Sequence, residues 1–164
     1  MSSPLPTPRR RAPAATPRLA VTRGSRGAAP RAAADGAPPR ILLVDDDPQL
    51  RAMFANFLRH AGYAVLEAQN GADALTVLEH ERAPVDLVVT DVVMPHTGGP
   101  ALVERLRARL PDIPVLYLSG YAVDTEVDDE ATADTAHLQK PLTRSALLAE
   151  VAALLGDAPA APRA

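Results

Sequence analysis

The chain has 164 residues, of which 47% are hydrophobic, enough to bury the core of one globular domain. It contains no cysteine, which excludes disulfides, cysteine-based catalysis and thiolate metal sites. No apolar stretch reaches the roughly 20 residues of a membrane helix and no signal peptide is recognisable, so we expect a soluble, cytoplasmic protein without membrane contact.

The net charge of −3 divides unevenly along the chain. Residues 1–40 carry eight arginines against one acid, a balance of +7, whereas residues 41–156 carry eight basic and eighteen acidic groups, a balance of −10. The basic part is rich in Pro, Ala and Arg and lacks apolar periodicity, so burial cannot offset the entropy of ordering it. We therefore predict a disordered basic tail over 1–39, a folded domain over 40–156 and a disordered tail over 157–164.

The role of the basic tail stays open at this point. Its composition fits a passive extension. It also fits a segment that is included only because the sequence was started at an upstream codon that is not the real start. An organelle transit peptide or an electrostatic tether to nucleic acid would have a similar composition. Composition alone does not discriminate between these possibilities.

Short runs of β-prone residues alternate with segments of helical periodicity from residue 40 onward. The runs are bounded by turn residues and predict five strands: ILLV (41–44), YAVLEA (63–68), VDLVVT (85–90), PVLYLS (114–119) and AHLQ (136–139). Strands that alternate with helices form a parallel sheet. The predicted fold class is α/β, a doubly wound, flavodoxin-like five-stranded parallel sheet with strand order 2-1-3-4-5.

Helices are predicted after each strand from apolar residues at a spacing near 3.6. Four of them have a capping residue at the start, namely Asp47, Asn70, Gly99 and Thr143. The fourth helix, within residues 121–136, has few large apolar side chains and six acids. We expect this helix to be short or frayed.

Polar side chains collect at the carboxyl ends of the predicted strands, the edge at which doubly wound sheets bind ligands. They are three acids after strand 1, one acid after strand 3, a hydroxyl ending strand 4 and an amine after strand 5, namely Asp45, Asp46, Asp47, Asp91, Ser119 and Lys140. Clustered carboxylates offer oxygen ligands to a hard cation such as Mg²⁺. An amine and a hydroxyl beside the ion can bind the oxygens of a phosphoryl group. The pattern indicates phosphoryl chemistry with Mg²⁺.

Four segments resemble, in order and spacing, the response-regulator receiver domains of bacterial two-component signalling: LLVDDDP, VDLVVTDVVMPHTGG, PVLYLSGY and HLQKPL. The residues of these segments are most similar to those of receivers attached to hybrid sensor histidine kinases. The resemblance covers about residues 40–156 and implies a phosphoacceptor signalling domain of a phosphorelay, not an enzyme that turns over a substrate. Because no kinase segment precedes it and only eight residues follow Gly156, we expect a single-domain regulator without an output or DNA-binding domain.

The resemblance implies a role in phosphoryl transfer for three residues. Asp91 would be the phosphoacceptor, taking the group from a sensor histidine kinase, a phosphotransfer protein or a small acyl phosphate to form an acyl phosphate. Ser119 and Lys140 would contact the phosphoryl oxygens. Pro141 follows a peptide bond that is commonly cis in the family.

The resemblance also implies a division of labour among the acids. Asp46 and Asp91 would bind Mg²⁺ directly, together with the backbone carbonyl of Val93. Asp45 would act through a bound water, and Asp47 would cap the first helix. On this interpretation the acids after strand 1 serve both the ion and the helix.

One switch position departs from the family pattern. Receivers usually carry Phe or Tyr three residues before the lysine as a rotameric switch that works with the strand 4 hydroxyl, here Ser119, and this chain has His137 instead. An imidazole is smaller and can charge near neutral pH, so we expect altered coupling to the face of the fourth helix, fifth strand and fifth helix. An unknown downstream protein would bind that face. A half-exposed strand residue without a switching role fits His137 equally well.

Two other functions fit parts of the same pattern. DDDP matches the D-x-D opening of haloacid-dehalogenase phosphatases, an enzyme class in which Asp45 would be the nucleophile and Asp47 the acid. That class would leave TDVVMPHTGG without a role, and the chain has no cap domain. A pseudo-receiver would bind a partner without accepting phosphate, and the complete set of acids, hydroxyl and lysine argues against it.

Overall fold

A computed structural model of the chain describes residues 36–120 and 134–156. Within them, the strands and helices in chain order are β1 (Arg40–Val44), α1 (Pro48–His60), β2 (Ala64–Ala68), α2 (Gly71–His80), β3 (Leu87–Asp91), α3 (Gly99–Arg107), β4 (Val115–Ser119), β5 (Thr135–Gln139) and α4 (Arg144–Leu155). None of the described helices combines the length and apolar character needed to span a membrane.

Three predicted segments lie wholly or largely outside the described residues. They are the basic tail, the short carboxyl-terminal tail and the predicted fourth helix within 121–136, of which only the last three residues are described and belong to or adjoin β5. Helix α4 of the structure therefore corresponds to the fifth predicted helix.

The strands form one parallel sheet in the order β2-β1-β3-β4-β5. Strand β1 lies inside the sheet, where Leu42 pairs with Leu66 of β2 on one side and with Val88 of β3 on the other. The predicted α/β fold class and strand order are both confirmed. In such a sheet the carboxyl ends of β1, β3, β4 and β5 share one edge.

Two hydrophobic cores cover the two faces of the sheet, and β1 contributes to both. Ile41 and Leu43 pack on the side of α1 and α4, whereas Leu42 and Val44 pack on the side of α2 and α3. All four side chains are completely buried, which explains the uninterrupted apolar run. Each such side chain stabilises the fold by about 1.5–3 kcal/mol, so the loop after β1 starts from a firmly held strand.

The helix starts follow their capping residues, with one correction. Asp47, Asn70 and Thr143 each accept a backbone N–H in the first turn of their helix, as predicted. The prediction of Gly99 as the cap of α3 is wrong by one residue, because Gly98 is the cap and Gly99 is the first helical residue. A glycine is needed there for a different reason, a close backbone contact described below.

Candidate functional site

Four strands bring the predicted polar residues to the carboxyl edge of the sheet. Asp45 directly follows β1, Asp91 ends β3, Ser119 ends β4 and Lys140 directly follows β5. Asp91 pairs with Leu118 in the sheet, so Ser119 lies one residue beyond that pair. The structure therefore gathers residues separated by up to 95 positions in the sequence.

Lys140 is the link between the two inner acids of this edge. Its Nζ donates hydrogen bonds to Oδ2 of Asp45 and to Oδ2 of Asp91, each 2.8 Å long. The other oxygens are also occupied, since Asp47 N–H donates to Asp45 Oδ1 at 2.9 Å and Val93 N–H donates to Asp91 Oδ1 at 3.1 Å. Every carboxylate oxygen of Asp45 and Asp91 therefore has a donor.

The three linked side chains differ in how far they are removed from water. The side chain of Asp45 is only 1% exposed, whereas those of Asp91 and Lys140 are 13% and 14% exposed. Burial raises the pKa of Asp45, although the hydrogen bonds from Lys140 and from the Asp47 N–H act in the opposite direction. Burial alone would lower the pKa of Lys140, but its two carboxylate partners outweigh that effect and the pKa is raised. Lys140 is therefore held in its charged form.

Asp45, Asp46 and Asp91 form an oxygen-only ligand cluster. Each offers a carboxylate oxygen, and these atoms lie within 4.8 Å of one another. One ammonium group among three carboxylates leaves a surplus of negative charge, and Asp46 is exposed at the outer side of the cluster. This donor set fits a hard divalent cation that keeps several waters, such as Mg²⁺. The backbone of Val93 adjoins it through the hydrogen bond to Asp91.

The backbone around Asp91 explains two further features of the sequence. A Cβ on Gly99 would overlap the carbonyl oxygen of Asp91, so the start of α3 approaches β3 at a distance that only glycine permits. The peptide bond between Lys140 and Pro141 is cis, as the resemblance implies. The N–H of Lys140 donates to the Ser119 carbonyl at 2.7 Å, which joins the ends of β4 and β5.

His137 lies half-buried on β5 and stacks on Tyr117 of β4. The ring centroids are 5.0 Å apart with an interplanar angle of 24°, and burial raises the pKa of Tyr117. Sequence reasoning did not single out Tyr117. The pairing of β4 with β5 places Tyr117 directly beside His137, so a correct strand register would have identified the contact.

Arg51 is the second residue that sequence reasoning missed. Its Nη1 donates to the backbone carbonyl of Asp45 at 2.7 Å. Arg51 lies four residues after the cap Asp47, and its N–H donates to the Asp47 carbonyl, so it belongs to the helical turn beside the acidic loop. That spacing was the available signal.

Comparison with known proteins agrees with this geometry. The family model described as the response regulator receiver domain matches residues 41–152. Sensor kinase CckA of Brucella abortus (strain 2308) is 39% identical over 116 residues, which cover 70% of this chain and 12% of that kinase. Response regulator receiver protein CpdR of the same organism is 36% identical over 117 residues, which cover 71% of this chain and 96% of CpdR. The chain thus spans a small part of one relative and almost all of the other.

Solved structures show the same likeness. The receiver domain of the hybrid histidine kinase CckA has a TM-score of 0.60 and 37% identity, covering 71% of this chain and 98% of that one. The response regulator receiver protein of Sinorhizobium medicae WSM419 has a TM-score of 0.65 and 32% identity, and the match covers 73% of this chain and 95% of that one. The sheet order, the acidic edge and these likenesses agree, and the chain belongs to the response regulator receiver family, the phosphoacceptor domains of two-component signalling.

Proposed function

We propose that this chain accepts a phosphoryl group on Asp91, with Mg²⁺ held beside it, and that it signals by the resulting conformational change. Receiver domains interact with histidine kinases or phosphotransfer proteins, and we propose such a protein as the phosphoryl donor. The observation that carries the proposal is the bridge from Lys140 to Asp45 and Asp91, with Asp46 within 4.8 Å. The downstream target stays unidentified.

Asp91 is the acid best arranged to attack phosphorus. Its side chain reaches the edge of the sheet, and its two oxygens are oriented by Val93 N–H and Lys140 Nζ. In the transfer step, a carboxylate oxygen forms a bond to phosphorus while the bond from phosphorus to the donor's imidazole nitrogen breaks. The product is an acyl phosphate, and Lys140 with Ser119 would then bind the phosphoryl oxygens.

Mg²⁺ would neutralise the negative charge of the phosphoryl and carboxylate oxygens when bound. Asp46, Asp91 and the carbonyl of Val93 would be its direct ligands. Asp45 would act through water, because its side chain is only 1% exposed, whereas that of Asp91 is 13% exposed. The same burial argues against Asp45 as a phosphatase nucleophile, and the receiver family is not a classical enzyme family.

We also propose that residues 40–156 are the functional unit, with 1–39 and 157–164 outside it. The first strand begins at Arg40, the last helix ends at Leu155 and the family match covers 41–152. The binding face for a downstream protein, the switching role of His137 with Ser119, and the cytoplasmic location stay predictions. Part of that face belongs to the predicted fourth helix, outside the described residues.

The test is incubation of the full chain with Mg²⁺ and acetyl phosphate, followed by intact-mass measurement. We expect one phosphoryl group on the parent protein and none on Asp91→Asn. Asp86→Asn is the matched control, because Asp86 precedes β3 at the opposite edge of the sheet, and it should be phosphorylated normally. Steady substrate turnover that needs Asp45 would support the phosphatase, and no uptake would support a pseudo-receiver.

The metal assignment has its own readout. Mg²⁺ should raise the melting temperature of the parent protein through binding linkage, and Asp46→Ala should abolish that increase. A melting temperature that does not respond to millimolar Mg²⁺ would refute the site.

A further inference from the structure

The acidic loop after β1 is held mainly through the backbone and side chain of Asp45. Its N–H donates to the Ala68 carbonyl of β2 at 3.2 Å, and its Oδ1 accepts the Asp47 N–H at 2.9 Å. Its Oδ2 accepts the 2.8 Å hydrogen bond from Lys140 Nζ, and its backbone carbonyl accepts a 2.7 Å hydrogen bond from Arg51 Nη1. Asp46 follows directly, and its own side chain is exposed.

The hydrogen bond from Arg51 fixes more than one atom. The Asp45 carbonyl belongs to the peptide group that joins Asp45 to Asp46, and that group is planar. Holding the oxygen therefore holds the N–H and the Cα of Asp46 as well. The orientation of the Asp46 carboxylate toward the metal cluster depends on this peptide plane.

Arg51 is itself oriented by an acid on the neighbouring strand. Glu67 of β2 forms ion pairs with Arg51 Nε at 3.6 Å and with Arg59 Nη2 at 2.8 Å. The side chain of Arg51 is 20% exposed, whereas that of Arg59 is 47% exposed. Arg59 also donates to the Val65 carbonyl at 3.2 Å. Arg51 thus bridges Glu67 and the acidic loop, because its planar guanidinium can donate to two acceptors at once.

We propose that Arg51 is a positioning residue of the metal site: it holds the Asp45–Asp46 peptide so that Asp46 faces the ion, and Glu67 acts through it. This inference rests on the proposed Mg²⁺ site and adds residues outside the ligand set. Arg51 contacts neither the ion nor the phosphoryl group in this role. Its effect is exerted on the geometry of Asp46.

Electrostatics alone predicts the opposite sign for its removal. The guanidinium is positive and lies beside the cluster, so as a charge it opposes cation binding. A neutral substitution would then strengthen Mg²⁺ binding. Positioning predicts weaker binding, because the Asp46 peptide is released. The direction of the change therefore discriminates between the two roles.

The experiment is a calorimetric Mg²⁺ titration of the full chain and its variants. Arg51→Gln should raise the Kd for Mg²⁺ about tenfold, the lower end of the loss typical for partners that orient metal ligands. Arg51→Lys keeps the charge and should recover part of the affinity. Arg59→Gln is the matched control, since Arg59 lies on α1 like Arg51 and also pairs with Glu67 of β2. This variant should leave the Kd for Mg²⁺ within about twofold of the parent.

A double variant tests whether Glu67 works through Arg51. Glu67→Gln should weaken Mg²⁺ binding less than Arg51→Gln, and the double variant should bind no more weakly than Arg51→Gln alone. A Kd that is unchanged or lower in Arg51→Gln overturns the positioning role while leaving the metal site intact. Parent protein that does not bind Mg²⁺ overturns both. A lower melting temperature in Arg51→Gln with the parent Kd would show a merely structural role.

Discussion

Strand β1 begins and ends in an ion cluster, and the two clusters differ in burial and in charge balance. At the amino end, Arg40 pairs with Glu81, and the Arg40 N–H donates to Asp86 Oδ2 at 2.8 Å. These side chains remain open to water, with Arg40 27% and Glu81 33% exposed. The cluster joins β1 to the segment between α2 and β3, and water screens its charges.

At the carboxyl end, Lys140 pairs with Asp45 and Asp91 where water is nearly excluded. Asp46 adds a further carboxylate close by, so this cluster has more negative charge than its own cation neutralises. Surplus buried charge costs stability. The difference between the ends teaches that, of the two clusters, the one that bears this cost lies at the edge at which a cation and a phosphoryl group would bind.

Removing the basic side chain of each cluster should give the largest difference in stability between the two ends of β1. Lys140→Met leaves two nearly buried carboxylates without their partner and should lower the free energy of unfolding by about 3 kcal/mol. Arg40→Met, the same change at the amino end, should cost about 1 kcal/mol or less because solvent screens its partners. Denaturant unfolding without Mg²⁺ gives both values. Equal losses would contradict the comparison.

The close backbone contact at the carboxyl end should give the next largest effect. Gly99→Ala would force α3 away from the Asp91 carbonyl and should cost about 1–3 kcal/mol. Gly120→Ala is the control at the same edge, where a Cβ would meet no atom of the described residues within 4 Å, and it should stay within about 0.5 kcal/mol of the parent. Comparable losses would mean that the contact yields without cost.

The sheet and the gathering of acids at one edge could be predicted because they follow from local patterns. The run before Asp45 is β-prone and apolar, Asp47 precedes a proline at a helix start, and parallel strands bring their ends together. These signals depend on a few neighbouring residues. Residue identity alone was enough to place them.

The contacts between side chains of distant elements could not be predicted in the same way. Lys140 was expected to contact phosphoryl oxygens, and its pairing with Asp45 and Asp91 depends on how far β5 extends beside β4 in the sheet. The hydrogen bond from Arg51 depends on which of several long side chains on α1 faces the loop. The need for Gly99 to be a glycine, not a cap, depends on the distance between α3 and β3. Periodicity specifies faces, whereas these features are set by packing distances.

The buried carboxyl should give a smaller effect with a distinctive pH dependence. Burial raises the pKa of Asp45 above its usual 3.8, so the folded protein holds that proton more tightly than the unfolded chain. Its contribution to stability therefore falls as pH rises from about 3.8 through the raised value, and is constant above it. Asp45→Asn has no such proton, so its stability relative to the parent should increase over that window, by less than the Lys140→Met loss.

The measurement is the free energy of unfolding of the parent and of Asp45→Asn at several pH values, without Mg²⁺. The difference between the two isolates the contribution of the Asp45 proton. The amide cannot accept both hydrogen bonds of the carboxylate, which adds an offset that is independent of pH. Mg²⁺ should reduce the stability gap, the free energy of unfolding of Asp45→Asn minus that of the parent, because a bound cation favours the ionised acid. A gap that grows on acidification would show that the pKa shift has the other sign.

The smallest expected effect concerns backbone strain in the loops at the two ends of the sheet. The loop between α1 and β2, at the amino end, uses Gly62 at φ 97°, whereas the loop after β3, beside Asp91, has His96 at φ 67°. A left-handed residue with a Cβ costs about 1–2 kcal/mol, and a glycine loses about 0.5–1 kcal/mol more backbone entropy on folding. His96→Gly should therefore stabilise the protein by about 0.5 kcal/mol. Gly62→Ala, whose added Cβ would have no atom of the described part of the chain within 4 Å, should destabilise it by a similar amount. Thermal unfolding should show opposite shifts of a few degrees. A loss of stability in His96→Gly would mean that contacts of the imidazole outweigh the cost of its left-handed backbone.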